Sequence, residues 1–325
     1  MENEFKSNLT DLLKDKGLSD SSISLYLRNL EKLNGNLPLK NFNFLNNLEY
    51  VKEMLNKYKP NTQRAYYIAI VSCLGVSKDD KKAVKLYSKY YKLMNDKAKE
   101  IKETPTEDMT ETQKKNWLDW EDVMTRFNEL SVEVLQFSKN KDISPLQYNT
   151  LLSYITLALY VFLPPRRNMD YQKMNIVKKF TESLPFDRNY LSLDDGELIF
   201  NVYKTAKSMG QTKVKIPEDL MKVIMIYLKF HPLIKGKVKK DTNVSFLVNF
   251  EGEALTNNNS ITRILNKIFS KDKKLISSSM LRHIFLTKKY GENLKEREND
   301  AVKMGHSVAT QGEYIKDDKK KIQVV

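Results

Sequence analysis

The sequence predicts a mainly α-helical fold with one small antiparallel β-sheet, divided into two domains, and three observations predict it. Apolar residues recur at helical spacing through most of the first hundred positions. A polar stretch, EIKETPTEDMTETQKK, then interrupts the pattern with a proline (Pro105) and no apolar stripe, the composition of a linker. Beyond it, short alternating apolar runs surround a turn signal between Tyr190 and Ile216. With 325 residues and 38.0 kDa the chain is long enough for two separate cores. The expected division is a helical domain over residues 1–100, a linker over 101–115 and a second domain over 116–325.

Taken in order, Phe5, Leu9, Leu12 and Leu13 share a helical face, and Gly17 ends that element. The Ser19-Asp20-Ser21-Ser22 cluster offers N-caps for a second helix, whose Ile23, Leu25, Tyr26, Leu30 and Leu33 form a broad apolar face as far as Gly35. Further helices are expected at 45–58, 62–74 and 79–98, with Pro60-Asn61 as the break between the first two. The start of NTQRAYYIAIVSCL, with polar Thr62, Gln63 and Arg64, reads either as a contact to a DNA backbone or as ordinary packing. In the second part, helices are expected over 117–138, anchored by Trp117 and Trp120, and over 145–162. The latter, LQYNTLLSYITLALYVF after its proline, is apolar on most sides and therefore central. Leu163-Pro164-Pro165 stops it, because a residue before proline is pushed out of the helical region. Strands are expected at 190–193, 198–203 and 212–216, the first two joined by the hairpin signal Asp194-Asp195-Gly196. Residues 204–211, with Gly210, turn the chain into the third strand, and helices resume at 218–230 and 261–270.

A formal charge of +14 and a pI near 9.4 favour a polyanionic partner, since each phosphate neutralised releases condensed counterions. Only nine of the 55 basic residues are arginine, so a paired arginine stands out. Arginine clamps a phosphate bidentately, whereas lysine supplies a diffuse attraction. The single cysteine, Cys73, lies in the apolar run IAIVSCLGV and reads as core; it excludes an internal disulfide and suits a reducing compartment. No apolar run is long enough to span a bilayer, and the charged start MENEFKSN is unlike a signal peptide, so a soluble intracellular protein is expected. The histidines lack zinc spacing, and no glycine-rich phosphate loop or magnesium-binding carboxylate cluster stands out. Neither metal nor cofactor is expected.

The residues that carry chemistry concentrate near the C-terminus. The stretch SSSMLRHIFLTKKYGENLKERENDAVKMGHSVATQGEY, from Ser277 to Tyr314, holds two of the three histidines, Arg282 and the closing tyrosine. Upstream stand Arg166-Arg167 in LPPRRNMDY and Lys204 in the turn NVYKTAKSMG. Two guanidiniums aimed at the non-bridging oxygens of a phosphodiester stabilise charge that develops in the transition state. A phenol, with a pKa of about 10, attacks poorly at neutral pH unless cations and donors favour its anion.

Arginine, lysine, arginine, histidine and tyrosine in this order resemble the active-site series of the tyrosine recombinase (integrase) family, and most of the chain fits it. Arg167-Asn168-Met169-Asp170 matches the family's R-x-x-E/D pattern, which implies Arg167 as the first arginine and Asp170 as its carboxylate; Arg166 is the adjacent alternative. Arg282-His283 match the family's H-x-x-R-H, with Ser279 in place of the first histidine. A serine there can bond the phosphate or the tyrosine but stores no proton, and it reads equally as part of an N-cap cluster. Met304-Gly305-His306-Ser307 resembles L-G-H-S, which implies that His306 hydrogen-bonds the scissile phosphate or the leaving oxygen. Tyr314 is the implied nucleophile, eight residues after His306 and one closer than is usual in the family; Tyr290 is the nearby rival. Lys204 matches the hairpin lysine that protonates the departing 5′ oxygen, with Lys207 and Lys213 as substitutes. His283 reads as structural and His231 as a loop residue.

The resemblance further implies a helical core-binding domain, in which SSISLYLRNLEKL and NTQRAYYIAIVSCL are similar to family helices, preceding an α+β catalytic domain. It implies double-stranded DNA as partner, a homotetramer on two duplexes, and a 3′-phosphotyrosyl intermediate that needs neither ATP nor metal. LPPRRNMDY and MLRHIFL look most like integrases of eukaryotic viruses and self-synthesising transposons, hence a DNA-associated enzyme of the host nucleus or a viral replication site. A type IB topoisomerase would share the chemistry, and a DNA-binding protein with a decayed site is the non-enzymatic alternative that Ser279 keeps open. The tail IKDDKKKIQVV, where Ile322 and Val324 alternate with Gln323, reads either as a short strand docking on a neighbouring copy or as a solvated end.

Overall fold

The computed structural model describes residues 4–77, 81–103, 109–257, 259–290, 297–307, 310–311 and 314. The chain divides into two units, Met1–Pro105 and Thr106–Val325. Most of the proline-bearing part of the expected linker and the whole tail after Tyr314 lie outside the described residues.

Apolar spacing in the first unit folds into α1 (Glu4–Asp15), α2 (Asp20–Leu33), α3 (Leu48–Asn56), α4 (Pro60–Val76) and α5 (Lys81–Glu103). Gly17 and Gly35, at φ 81° and 68°, take the left-handed turns that stop α1 and α2. Ser19 caps α2, accepting from the Ser22 amide at 3.3 Å. Pro60, expected as a break, is instead the first residue of α4, where its missing N–H costs nothing. Helix α4 is buried on several sides and packs against α1, α2 and α5, with Tyr66, Ile70, Cys73 and Leu74 in the core. Burial pushes the Cys73 thiol up to about 12, so it behaves as an inert core residue. At the start of α4, Thr62 and Arg64 are exposed, but Gln63 is buried and donates to the Tyr58 carbonyl at 2.8 Å, closing the turn from α3.

The second unit is organised around one helix. After α6 (Glu111–Asn116) and α7 (Trp120–Phe137) comes α8 (Pro145–Val161), whose residues from Leu151 to Tyr160 are all buried. From Leu151 onward its apolar circumference leaves no face for solvent, so α7 and two later helices pack around it. There follow α9 (Asn168–Gln172), β1 (Met174–Val177), β2 (Asn189–Ser192), β3 (Glu197–Phe200), α10 (Ala206–Met209), β4 (Thr212–Lys215), α11 (Glu218–Phe230) and β5 (Asn243–Ser245). Helices α12 (Ser260–Ile268), α13 (Ser278–Tyr290) and α14 (Arg297–Met304) complete the described elements. Among the described residues, no helix is long and apolar enough to cross a membrane.

The sheet corrects the sequence expectation. It has five strands in the order β4-β3-β2-β1-β5 and is mixed, because β1 runs parallel to β2 while the other pairs are antiparallel. The hairpin around Asp194-Asp195-Gly196 forms as read, with Gly196 at φ 62°. Strand β1 escaped notice because Met174, Asn175, Ile176 and Val177 are all buried, and a strand covered on both faces shows no alternation. From β1 the chain crosses over residues 178–188 and returns in the same direction, with Met174 opposite Asn189 and Val177 opposite Ser192. Strand β3 also stops at Phe200, short of Tyr203. The amides of Asn201 and Val202 leave the ladder to donate to the Asn189 side chain, each at 2.8 Å.

Candidate active site

The double proline that ends α8 delivers Arg166 and Arg167 at the N-terminus of α9. Arg167 is the N-cap residue of that helix, in extended conformation. Asn168 pins α9 in place by donating to Thr262 of α12 at 2.9 Å and accepting from the Tyr160 hydroxyl of α8 at 3.3 Å. Asn189 braces it from the sheet side, its amide donating to the carbonyls of Asp170 (2.7 Å) and Val202 (3.0 Å). This fully buried asparagine therefore ties the arginine segment to the start of the Lys204 turn. Nothing in the sequence marked it, since an asparagine at a strand start reads as exposed.

Arg166, rather than Arg167, holds the carboxylate. Its Nε donates to Asp170 Oδ2 at 2.9 Å, an i,i+4 pair that is almost wholly buried. Its guanidinium lies 3.7 Å from the centre of the Phe200 ring, a desolvated cation–π contact worth about 2 kcal/mol. Nη1 donates to the Lys303 carbonyl at the end of α14. Burial raises the Asp170 pKa, and the guanidiniums of Arg166, Arg167 and Arg282 oppose that shift. The expected R-x-x-D pairing is thus displaced by one residue.

Arg282 approaches from α13, 5 % exposed, with Nη1 donating to the Arg166 carbonyl at 3.2 Å. Its cation lies 5.1 Å from the Tyr314 ring centre, and burial lowers its pKa. His306 follows α14 and is 1 % exposed. The turn that carries it needs Gly305. Its φ is 70°, and a Cβ there would meet the Tyr203 ring at 2.9 Å and Arg166 Nη2 at 3.1 Å. Burial lowers the His306 pKa to about 4, assisted by the charges of Arg167, Arg282 and Arg166 and opposed by a hydrogen bond to the Ser307 carbonyl. Since a carbonyl only accepts, the contact at 3.3 Å makes Nδ1 the protonated nitrogen and leaves Nε2 with its lone pair.

Tyr314 is half-buried against both histidines, with ring centres 5.0 Å from His283 and 5.4 Å from His306. Its carbonyl accepts from His283 Nδ1. The rival Tyr290 is buried, and its hydroxyl donates to Asp300 at 2.6 Å. Four buried nitrogens, Arg166 Nη2, Arg167 Nη1, Arg282 Nε and His306 Nε2, have no hydrogen-bond partner among the described residues. Buried polar groups are almost always satisfied. Three arginines with one internal carboxylate also leave the pocket with excess positive charge. The three arginine donors and the excess charge fit a bound phosphate, and the bare His306 Nε2 beside them is placed to accept a proton. Gln311, fully buried with neither amide atom partnered among the described residues, is a further polar group that sequence reasoning missed.

One expected member stands apart, and another has a different place from its alternative reading as a cap. Lys204 is exposed and makes no hydrogen bond or ion pair among the described residues, although both its neighbours reach the pocket. Tyr203 stacks on Gly305 and Arg166, while Thr205 donates to the Gly305 carbonyl. Lys207 is likewise exposed, and Lys213 lies over the Phe180 ring at 5.5 Å. Ser279 is not the helix cap. Ser277 is, accepting from the Met280 amide at 3.2 Å, and Ser279 sits a turn before Arg282 and His283 on the same helical face. His231, expected in a loop, follows α11 but is fully buried, with Nε2 donating to the Ser245 carbonyl at 3.1 Å. No group of three or more histidine, cysteine, aspartate or glutamate residues suited to a metal exists among the described residues.

No family model matches the chain, and no curated protein does. Among solved structures it is similar to the crystal structure of XerA recombinase, with a TM-score of 0.41 and 14 % identity over 98 % of this chain and 95 % of that one. So distant a likeness transfers no residue role, and the functional reading rests on the pocket itself.

Proposed function

We propose that the chain is a DNA strand-transferase of the tyrosine recombinase type, cleaving duplex DNA by attack of Tyr314 on a phosphodiester. The observation that carries the reading is three buried arginine nitrogens and the bare His306 Nε2, without partners among the described residues, beside a tyrosine. Arginine donors in a fixed, dry geometry favour the extra charge of a pentavalent phosphorus over the ground state. In the proposed step the Tyr314 oxygen bonds to phosphorus and the phenol proton passes to His306 Nε2. The resulting imidazolium donates to a phosphate oxygen. The bond to the 5′ oxygen breaks, and Lys204, brought in from its exposed turn, supplies the proton that oxygen needs. Reversal with a hydroxyl from a second duplex completes transfer. The finer reading, a homotetramer that integrates or excises mobile or viral DNA, rests on the sequence resemblance alone.

A duplex with a nick just beyond the cleavage site traps the covalent product. The wild-type chain should form an adduct that survives denaturation, and Tyr314→Phe should bind DNA equally but form none. A normal adduct yield from that variant would remove Tyr314 from the nucleophile's role. Strand joining between duplexes marks a recombinase, relaxation of supercoils without joining marks a topoisomerase, and binding without any adduct marks a site that no longer cleaves.

A further inference from the structure

Helix α6 lies far from the arginines in sequence, yet its Gln113 touches the histidine that contacts the tyrosine. His283 Nδ1 contacts the Tyr314 carbonyl, and its Nε2 lies 3.3 Å from Gln113 Nε2. The proton positions follow from the partners. A carbonyl only accepts, so Nδ1 carries the hydrogen and donates it to Tyr314. The Gln113 amide is oriented by a capping box: its Oε1 accepts from the Thr110 amide at 2.9 Å and the Thr110 hydroxyl at 3.1 Å. Its NH2 is therefore the end turned to His283, and it can only donate. A neutral ring with a bare Nε2 satisfies both neighbours. An imidazolium would set one N–H against another.

We propose that α6 positions Tyr314 through Gln113 and His283, a relay that locks His283 in its Nδ1–H tautomer and fixes the main chain of the tyrosine. The inference rests on the reading of Tyr314 as nucleophile, and it makes His283 and Gln113 positioning residues. Side-chain position at Tyr314 depends on its backbone; among the described residues, the Tyr314 amide donates to the Gln311 carbonyl at 3.0 Å within its own turn. His283 links that main chain to α13, while Arg282 of the same helix faces the tyrosine ring. Gln113 stands in the first turn of α6, so the placement of that helix reaches the tyrosine by way of two hydrogen bonds.

Nitrogen-15 spectra of the full chain with labelled histidine test the relay directly, since three histidines are assignable by single substitution. Between pH 6.5 and 8, His283 should show a protonated Nδ1 and a bare Nε2. The opposite tautomer, or an imidazolium, would overturn the proposal. Gln113→Glu keeps the capping box and turns an acceptor toward Nε2, so it should melt like the wild type while His283 becomes doubly protonated. An unchanged His283 spectrum would also refute the relay. On the nicked duplex, His283→Ala should retain its DNA affinity and lose about 100-fold in single-turnover adduct formation, the order expected for a misplacement of roughly 1 Å. His283→Asn, whose amide overlays the Nδ1 donor, should recover much of that loss; equal defects in the two variants would count against the relay. A wild-type chain that forms no adduct refutes the recombinase reading, while the nitrogen spectra still decide on the relay.

Discussion

At the scale of single residues, the paired arginines divide two tasks that one motif would assign to one of them. Arg166 is the structural half. Arg166→Ala would strand the buried Asp170 carboxylate, costing about 3–5 kcal/mol of stability in addition to activity. Arg167 carries no such duty. Arg167→Ala should melt like the wild type, bind duplex, and lose about 3–4 kcal/mol of transition-state stabilisation, as when one donor leaves a preorganised electrostatic site. Thermal melts beside single-turnover cleavage separate the pair, and normal cleavage by the Arg167 variant would take that guanidinium out of the site. His306 makes stability depend on pH. Its folded pKa of about 4 lies below the unfolded value, so the unfolded chain binds more protons between about pH 6.5 and 4. Stability should be complete above that window and fall by about 3 kcal/mol across it on acidification. His231, also lowered by burial, acts in the same direction. His306→Gln should flatten part of the slope in urea midpoints taken at pH 7 and pH 5; an unchanged slope would contradict the buried, neutral ring.

At the scale of elements, the turn after α14 is the least forgiving. Gly305→Ala combines a left-handed backbone, costing roughly 1–2 kcal/mol, with a methyl driven into Tyr203 and Arg166. It should lower the melting temperature and reduce cleavage further than the fraction unfolded explains. The serines opening α13 offer a cleaner separation. Ser277→Ala should cost about 1 kcal/mol of stability as a lost cap, whereas Ser279→Ala should leave the melt unchanged and slow cleavage if it serves the phosphate. Elements with strong periodicity were legible in the sequence: α2 with its serine cap and glycine stop, α8 with its apolar circumference, the β2–β3 turn at Gly196. Others were hidden for physical reasons. Strand β1 is buried on both faces and so carries no alternation. Three consecutive serines are equivalent as caps until the backbone chooses one. Asp170 lies three residues from one arginine and four from the other, and both spacings face it on a helix. Asn189 substitutes a side chain for a strand's backbone, which no composition signal announces.

At the scale of the whole molecule, two apolar cores that share no residue belong to two units of the chain. Residues 1–105 and 106–325, expressed apart, should each melt cooperatively; a fragment that remains unfolded alone would show that its core is insufficient. The order of motifs, arginine to tyrosine, was legible because chemistry fixes residue types. The geometry was not, because the contacts that build the pocket span 116 residues between Arg282 and the Arg166 carbonyl, and 137 between Arg166 and Lys303. That span has a consequence for manufacture. Contacts so distant in sequence close late in folding, after local helices have formed. A chain broken off before Lys303 would possess α8, the sheet and both neighbouring arginines, yet lack the carbonyl that seats one of them, the histidine and the tyrosine. On the proposed chemistry, unfinished or clipped copies could not cut DNA, because the last parts of the site are encoded late along the chain.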